Sequence, residues 1–370
     1  MSTSGSRALL RTSGRCRAVV LAVVISVATT LAACGSEPDG GGSDPGFGTV
    51  SMHYSWIKDE DYAGQFYAED KGYYEEADFD AVNGISGPGE GVAQLLSGKV
   101  QVAISDAAAV GSVIAEQDAK LKIIGATLQK NPLTIVSLEG AGIATPADLV
   151  GKRIGVRDAD IDILRALLAA NGLEEQKNDI TIVPAEFDAR PLVDGGLDGF
   201  VAELTDESII FELAGHEVKD LPFADNGLPY VAQTYTVTDQ YLAENRDLLE
   251  ALLIAEIKGW TETFRNPGDE VVEVVTTHFE EAAGDSDGLE ASFGELDPAK
   301  VERGLEVSQQ LISTPETEKN GLLTISAERQ QQTIDSLAAA GWEVSAEDLF
   351  DTSILDEIYA EHPELKAYRK

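Results

Sequence analysis

Cysteine is almost missing from this chain, which holds Cys16 and Cys34 and no others in 370 residues. That count excludes a disulfide framework and a cysteine-built zinc site, and leaves little for thiol catalysis. Basic residues are scarce as well. Lys and Arg number 27 against 65 Asp and Glu, a formal net charge of −38, which excludes a protein that reads the phosphate backbone of nucleic acid. No apolar run reaches the roughly 20 residues of a membrane-spanning helix. His53, His216, His278 and His362 never fall at i, i+3 or i+4, so no histidine pair has metal-ligand spacing. The glycine-rich stretch Gly84–Gly91 lacks both the G-x-G-x-x-G spacing and the Lys-Ser/Thr of a phosphate loop, and reads as a turn before a helix. Neither a metal nor a cofactor is expected.

What is present is a globular composition, 43% apolar and 25% charged. Arg7, Arg11, Arg15 and Arg17 precede an apolar run from Ala18 to Leu31, the length of a signal-peptide core. Leu31-Ala32-Ala33-Cys34 follows and resembles the bacterial lipobox, in which cleavage frees a cysteine that then carries diacylglycerol. Residues 1–33 are expected to be the signal peptide and Cys34 the lipidated residue, anchoring the protein at the outer face of the cell membrane. Residues 34–48 are the lipidated cysteine and a tether, Gly35–Gly48, of Gly, Ser, Pro, Asp and Glu37 with one aromatic, too apolar-poor to fold, which would hold the body on the order of 20 Å from the membrane.

From Thr49 onward, β-rich runs alternate with helical patterns, the mark of an α/β fold with largely parallel sheets. The pattern predicts strands at Val50–Tyr54, Val100–Ser105, Leu121–Ala126, Thr134–Leu138, Arg153–Val156, Ile180–Pro184 and Gly199–Ala202. Helices are expected at Gly64–Asp70, Val92–Ser97, Ala107–Glu116 and Ile161–Ala170, and helix dominates after Asp247. Leu249, Leu253, Ile257, Trp260 and Phe264 recur at helical spacing and mark a core face. Loop chemistry at Gly140–Gly151 and Asp225–Tyr235 places two crossings, giving lobe I at 49–138 and 232–370 and lobe II at 139–231. Ligand clefts favour such interfaces and the carboxyl ends of parallel strands.

Several segments resemble one known family in order along residues 49 to about 345. They are Trp56, then Tyr62-Ala63-Gly64-Gln65-Phe66-Tyr67-Ala68 with Asp70-Lys71-Gly72-Tyr73-Tyr74, then Gly151-Lys152-Arg153-Ile154-Gly155-Val156, then Gly195-Gly196-Leu197-Asp198-Gly199-Phe200, and Lys258-Gly259-Trp260 with Asn266-Pro267. Together they resemble the binding proteins of ABC importers for thiamine pyrimidine precursors, riboflavin, nitrate, taurine and alkanesulfonates. The resemblance implies a two-lobed, periplasmic-binding-protein-like fold of type II that closes on a small solute and hands it to a membrane permease. The tryptophan and aromatic-Ala-Gly segments are most similar to the pyrimidine-precursor and riboflavin branch. Fungal pyrimidine synthases share the fold but depend on a histidine and a cysteine-rich motif, so a binder rather than an enzyme is expected, acting as a monomer.

Candidate ligand residues follow from the strand ends. Trp56 and Tyr62 come just after the first strand, where aromatic rings can stack on a flat ring or simply pack the lobe. Ser105 and Asp106 end a strand and open a helix, so they cap it, bond a ligand, or do both. Tyr230 and Tyr235 lie on the return crossing, as site or hinge residues. By resemblance, one of Glu203, Asp206 and Glu207 contacts the solute. The turn Arg157-Asp158-Ala159-Asp160-Ile161-Asp162 sets three carboxylates at the amino end of a helix, Asp158 being the candidate contact, and these would satisfy its amides and repel an anion. A neutral or cationic flat solute is expected, unless Arg153, Arg157 or Arg190 points inward. Adjacent carboxylates such as Asp59 with Asp61, or Asp158 with Asp160, read as solvated charged faces rather than acid-base pairs.

Overall fold

Among the described residues ten strands build two sheets of identical plan, and that plan sets where the chain crosses between them. The computed structural model describes residues 46–87, 91–185, 190–284, 290 and 295–369. Cys34, the basic and apolar run before it, and nearly all of the tether lie outside the described residues.

The first sheet holds β1 (Gly48–His53), β2 (Phe79–Ile85), β3 (Val102–Asp106), β4 (Leu121–Leu128) and β10 (Ala232–Thr238), in the order β2-β1-β3-β10-β4. The second holds β5 (Leu133–Leu138), β6 (Arg153–Val156), β7 (Thr181–Pro184), β8 (Gly199–Glu203) and β9 (Val218–Pro222), in the order β7-β6-β8-β5-β9. In each sheet one strand runs against its neighbours, β10 in the first and β5 in the second. Each is the strand by which the chain arrives from the other sheet. It starts where its neighbours end, on the cleft side, and so must run the opposite way.

Strand β5 corrects the lobe boundary. Residues 133–138, expected in lobe I, pair with β8 and β9 of the second sheet. The first crossing is therefore the short segment 129–132, and the Gly140–Gly151 loop lies inside the second lobe. Periodicity cannot show this, because an apolar run reads the same in either sheet. The second crossing, 223–231, brings the chain back to Ala232.

The carboxyl-terminal helices also depart from expectation. Helix Arg246–Arg265 covers the first sheet, with Leu249, Leu253, Ile257 and Trp260 buried. Helix Ala327–Ala339, however, packs against both Ala107–Gln117 and Ile161–Ala170, so it reaches the second lobe too. One apolar core accordingly runs across the crossings, joining Val110, Ile123 and Leu337 to Leu164, Leu167 and Tyr230.

Helix Ala63–Asp70 crosses Arg246–Arg265 at glycine on both sides. A Cβ on Gly64 would lie 2.3 Å from the Trp260 indole, and one on Gly259 would lie 2.1 Å from the Gly64 carbonyl oxygen. Helix propensity alone favours Ala over Gly by about 1 kcal/mol. Packing reverses that sign here, so Gly64→Ala is expected to destabilise by about 1–3 kcal/mol. Urea unfolding measures it, and a stabilised variant would show that the crossing can relax.

Candidate functional site

The carboxyl ends of β1, β3, β6 and β8 face one another across the cleft between the sheets, and the loops that follow them carry the site. On the first lobe, the turn after β1 is folded around Tyr62. The Tyr62 ring stacks on Tyr54 at 4.3 Å, its hydroxyl oxygen accepts the Trp56 backbone N–H at 3.1 Å, and Ser55 Oγ lies 3.1 Å from it. Only 1% of Tyr62 is exposed. It is a core peg that holds the Tyr54–Trp56 turn, the packing alternative of the two roles open to it. Trp56 is half-buried against the first core, and its carbonyl accepts the Gly87 N–H.

Next comes a short turn of helix, Glu60–Tyr62, capped by the Asp59 carboxylate, which accepts the Asp61 N–H at 3.2 Å. Asp59 and Glu60 are buried, not solvated, which overturns the charged-face reading of Asp59 with Asp61. Their counter-ion comes from far along the chain. Lys300 Nζ lies 2.8 Å from Glu60 Oε1, 3.0 Å from Asp206 Oδ1 and 3.6 Å from Asp59 Oδ2. Burial pushes the Glu60 carboxyl up to about 8 and that of Asp59 up to about 6, against the pull of Lys300. Asp61 is raised well above the ordinary carboxylate range by burial and then by Asp59 and Glu60.

At the end of β3, Ser105 is buried and Asp106 caps the helix Ala107–Gln117, its Oδ1 accepting the Ala109 N–H at 2.8 Å. Burial raises the Asp106 carboxyl in spite of that bond, and the charge of Asp160 on the opposite lobe raises it further. Tyr230 is 2% exposed, a hinge-core residue whose ring is not open to a solute. Its phenol is raised by burial and then by the charges of Asp106, Asp160 and Glu203, which puts it beside both lobes' carboxylates. Tyr235 lies deeper, with its hydroxyl donating to Glu256 at 2.8 Å.

On the second lobe, Arg157 follows β6 and gathers three carboxylates. Its Nε donates to Asp160 Oδ2 at 2.7 Å, and its terminal nitrogens lie 3.7 Å from Glu207 Oε1 and 4.0 Å from Glu203 Oε1. Glu207 also accepts the Glu203 backbone N–H at 2.9 Å. Burial raises the Glu203 carboxyl, the charge of Asp61 across the cleft raises it more, and Arg157 opposes both. Asp158 is exposed, and Asp160 is the residue turned to Arg157, so the capping expected of this turn fails. Neither Arg157 nor Asp160 makes a side-chain cap bond at its helical turn, so the carboxylates serve the arginine instead of the helix amides. Arg153 is engaged with Asp198 and the Gly195 carbonyl at the other end of β6, away from the cleft, and Arg190 is exposed.

The sequence reading missed Lys300 and took Asp61 and Asp160 for members of solvated charged faces. Lys300 sits inside an amphipathic helix, Pro298–Ile312, where a lone lysine between apolar positions gives no signal by spacing. Among the described residues no group of three His, Cys, Asp or Glu has the geometry to hold a metal ion, and no helix is long and apolar enough to cross a membrane.

A family model described as "NMT1/THI5 like" matches residues 59–270. Solved structures share the fold at low identity. The alkanesulfonate-binding protein SsuA from Xanthomonas axonopodis pv. citri, bound to MOPS, is 16% identical over 82% of this chain and 98% of its own, with a TM-score of 0.59. The periplasmic nitrate-binding protein NrtA from Synechocystis PCC 6803 is 12% identical over 85% of this chain and 89% of its own, with a TM-score of 0.58. The desulfurization enzyme DSZB is 16% identical over 85% and 99%, with a TM-score of 0.54. These likenesses establish the periplasmic-binding-protein-like fold. No curated protein sequence matches the chain.

Proposed function

The chain belongs to the NMT1/THI5-like family, and from that premise we propose that it is an extracytoplasmic solute-binding protein that delivers a small heteroaromatic solute, neutral or cationic, to an ABC importer. In this reading Cys34 carries the lipid anchor, the two lobes close on the solute, and a pyrimidine precursor of thiamine is the model ligand. Trp56 supplies the aromatic face, while Ser105, Asp106, Glu203 and Glu207 supply polar contacts.

One observation carries the charge of the ligand. Arg157 and Lys300, the cations placed at the cleft, each already face three carboxylates. Asp61, Asp106 and Glu203 set further carboxyls around the same space, each raised in part by charge from the opposite lobe. A sulfonate or nitrate would have to compete with those carboxylates for Arg157 and Lys300 and pay for desolvation besides. A cation or a neutral ring with amino groups meets acceptors instead.

The test is a thermal-shift panel of thiamine pyrimidine precursors, riboflavin, taurine, alkanesulfonates and nitrate. Ligand that binds only the folded state raises the melting temperature by mass action, about 2.7 kcal/mol at a hundred times Kd. Stabilisation by an aminopyrimidine is the expected result. Stabilisation by a sulfonate or nitrate alone would overturn the ligand class in favour of an anion binder on the same fold, and turnover of the pyrimidine would favour an enzyme.

A further inference from the structure

We infer that Lys300 is an inter-lobe latch, a buried ammonium whose bond to Asp206 forms in the closed arrangement and shifts the solute-free equilibrium toward it. The inference goes beyond ligand binding and stands whichever solute the cleft takes.

Three of the four groups belong to the first lobe and are fixed before closure. Lys300 rides on helix Pro298–Ile312, whose Val301, Leu305 and Ile312 are anchored in the core of the first lobe. Gly304, one turn further, lets that helix lie against the Glu60 carboxyl, since a Cβ there would fall 2.0 Å from Glu60 Oε1. The side chains of Lys300, Asp59 and Glu60 are 9%, 2% and 1% exposed. Asp206 is the member from the second lobe. It sits in the turn between β8 and helix Glu207–Leu213, its side chain 26% exposed and 3.0 Å from the ammonium.

Within this cluster, opening the cleft separates one ion pair and leaves the other two intact, while the packing of helix Pro298–Ile312 on helix Glu207–Leu213 parts with it. A conformational equilibrium responds only to interactions that differ between the two states, and Lys300–Asp206 is such an interaction. The geometry also keeps the latch reversible. Breaking a buried pair is severe when it strands a charge without a partner. Here the ammonium retains Asp59 and Glu60 in the open state, so release costs about as much as one charge-assisted hydrogen bond. The Arg157 cluster cannot do the same, because Arg157, Asp160, Glu203 and Glu207 all lie on the second lobe.

The test reads the solute-free full chain by small-angle scattering. Asp206→Asn leaves the first-lobe triad untouched and is expected to lower the closed-to-open ratio by roughly 10- to 100-fold, seen as a larger radius of gyration than the parent. Asp206→Glu, which keeps the charge, is expected to return toward the parent value. Arg303→Gln, which removes an exposed pair with Glu306 on the same helix, is the control and should leave the radius unchanged. Equal radii for the parent and Asp206→Asn would overturn the latch, as would an Arg303→Gln change as large as that of Asp206→Asn.

Discussion

Between about pH 4.5 and pH 8 the folded state is expected to lose stability as the pH rises. The main reason lies in the core of the first lobe. Glu256 is wholly buried, accepting the Tyr74 hydroxyl at 2.6 Å and the Tyr235 hydroxyl at 2.8 Å. Burial pushes its carboxyl from near 4.5 up to about 7, even though those hydroxyls and Gln65 favour the ionised form. A carboxyl with a higher pKa folded than unfolded binds its proton more tightly in the folded state. Its contribution is complete below about 4.5 and is lost as the pH passes about 7, a difference of about 3 kcal/mol. Glu60 extends the window to about 8 and Asp59 adds to it near 6, both raised first by burial. Urea unfolding at constant ionic strength, in steps from about pH 5 to 8, measures the slope. General charge repulsion in so acidic a protein also eases on acidification, so Glu256→Gln is the discriminating variant. It should flatten the curve below about pH 7, and an unchanged slope would remove Glu256 as the cause.

Arg157→Met is expected to destabilise the second lobe by about 3–5 kcal/mol at neutral pH. The substitution leaves Asp160, Glu203 and Glu207 gathered around a vacant centre, with side chains 18%, 32% and 11% exposed in the parent. Water screens them incompletely, so the loss exceeds that of a surface ion pair, which is about 0–1 kcal/mol. Acidification should restore much of it, because protonated carboxyls no longer repel. Arg157→Lys should fall between parent and Met, since an ammonium replaces the charge but not the planar fork that reaches three partners. Unfolding curves for the three proteins at about pH 8 and pH 5.5 provide the check. A Met variant within 1 kcal/mol of the parent at both values would show that the carboxylates relax apart into solvent.

Much of the scaffold is legible one element at a time. Alternating apolar runs gave β1, β3, β4, β6 and β7 to within a few residues, and the helical period of Leu249, Leu253, Ile257 and Trp260 identified a buried face. Such patterns are written by neighbours in the chain, where a period of 2 or 3.6 decides which side chains share a face. Composition alone decided the charge regime and the near absence of thiols. Which sheet a strand joins is a different kind of fact. Leu133–Leu138 fits either lobe by its residues, and only pairing with β8 and β9 assigns it to the second.

The same division runs through the site. Asp106 was legible as a helix cap because its partner, the Ala109 amide, is three residues away. Lys300 was not, because its partners Asp59, Glu60 and Asp206 lie at distant positions that only the folded chain brings within 4 Å. Asp158 and Asp160 are indistinguishable by type and spacing, and the backbone turn after β6 alone aims Asp160 at Arg157 and leaves Asp158 in solvent. Tyr62 and Tyr230 each left two roles open, since an aromatic ring at a strand end can face either the core or the opening, and the fold buries both. The sequence by itself determined the acidity, the family likeness and many of the elements, though not β2, β9 and β10. The tertiary structure decided which carboxylates are buried and which cations they hold, because burial and charge pairing depend on distance through space and not along the chain.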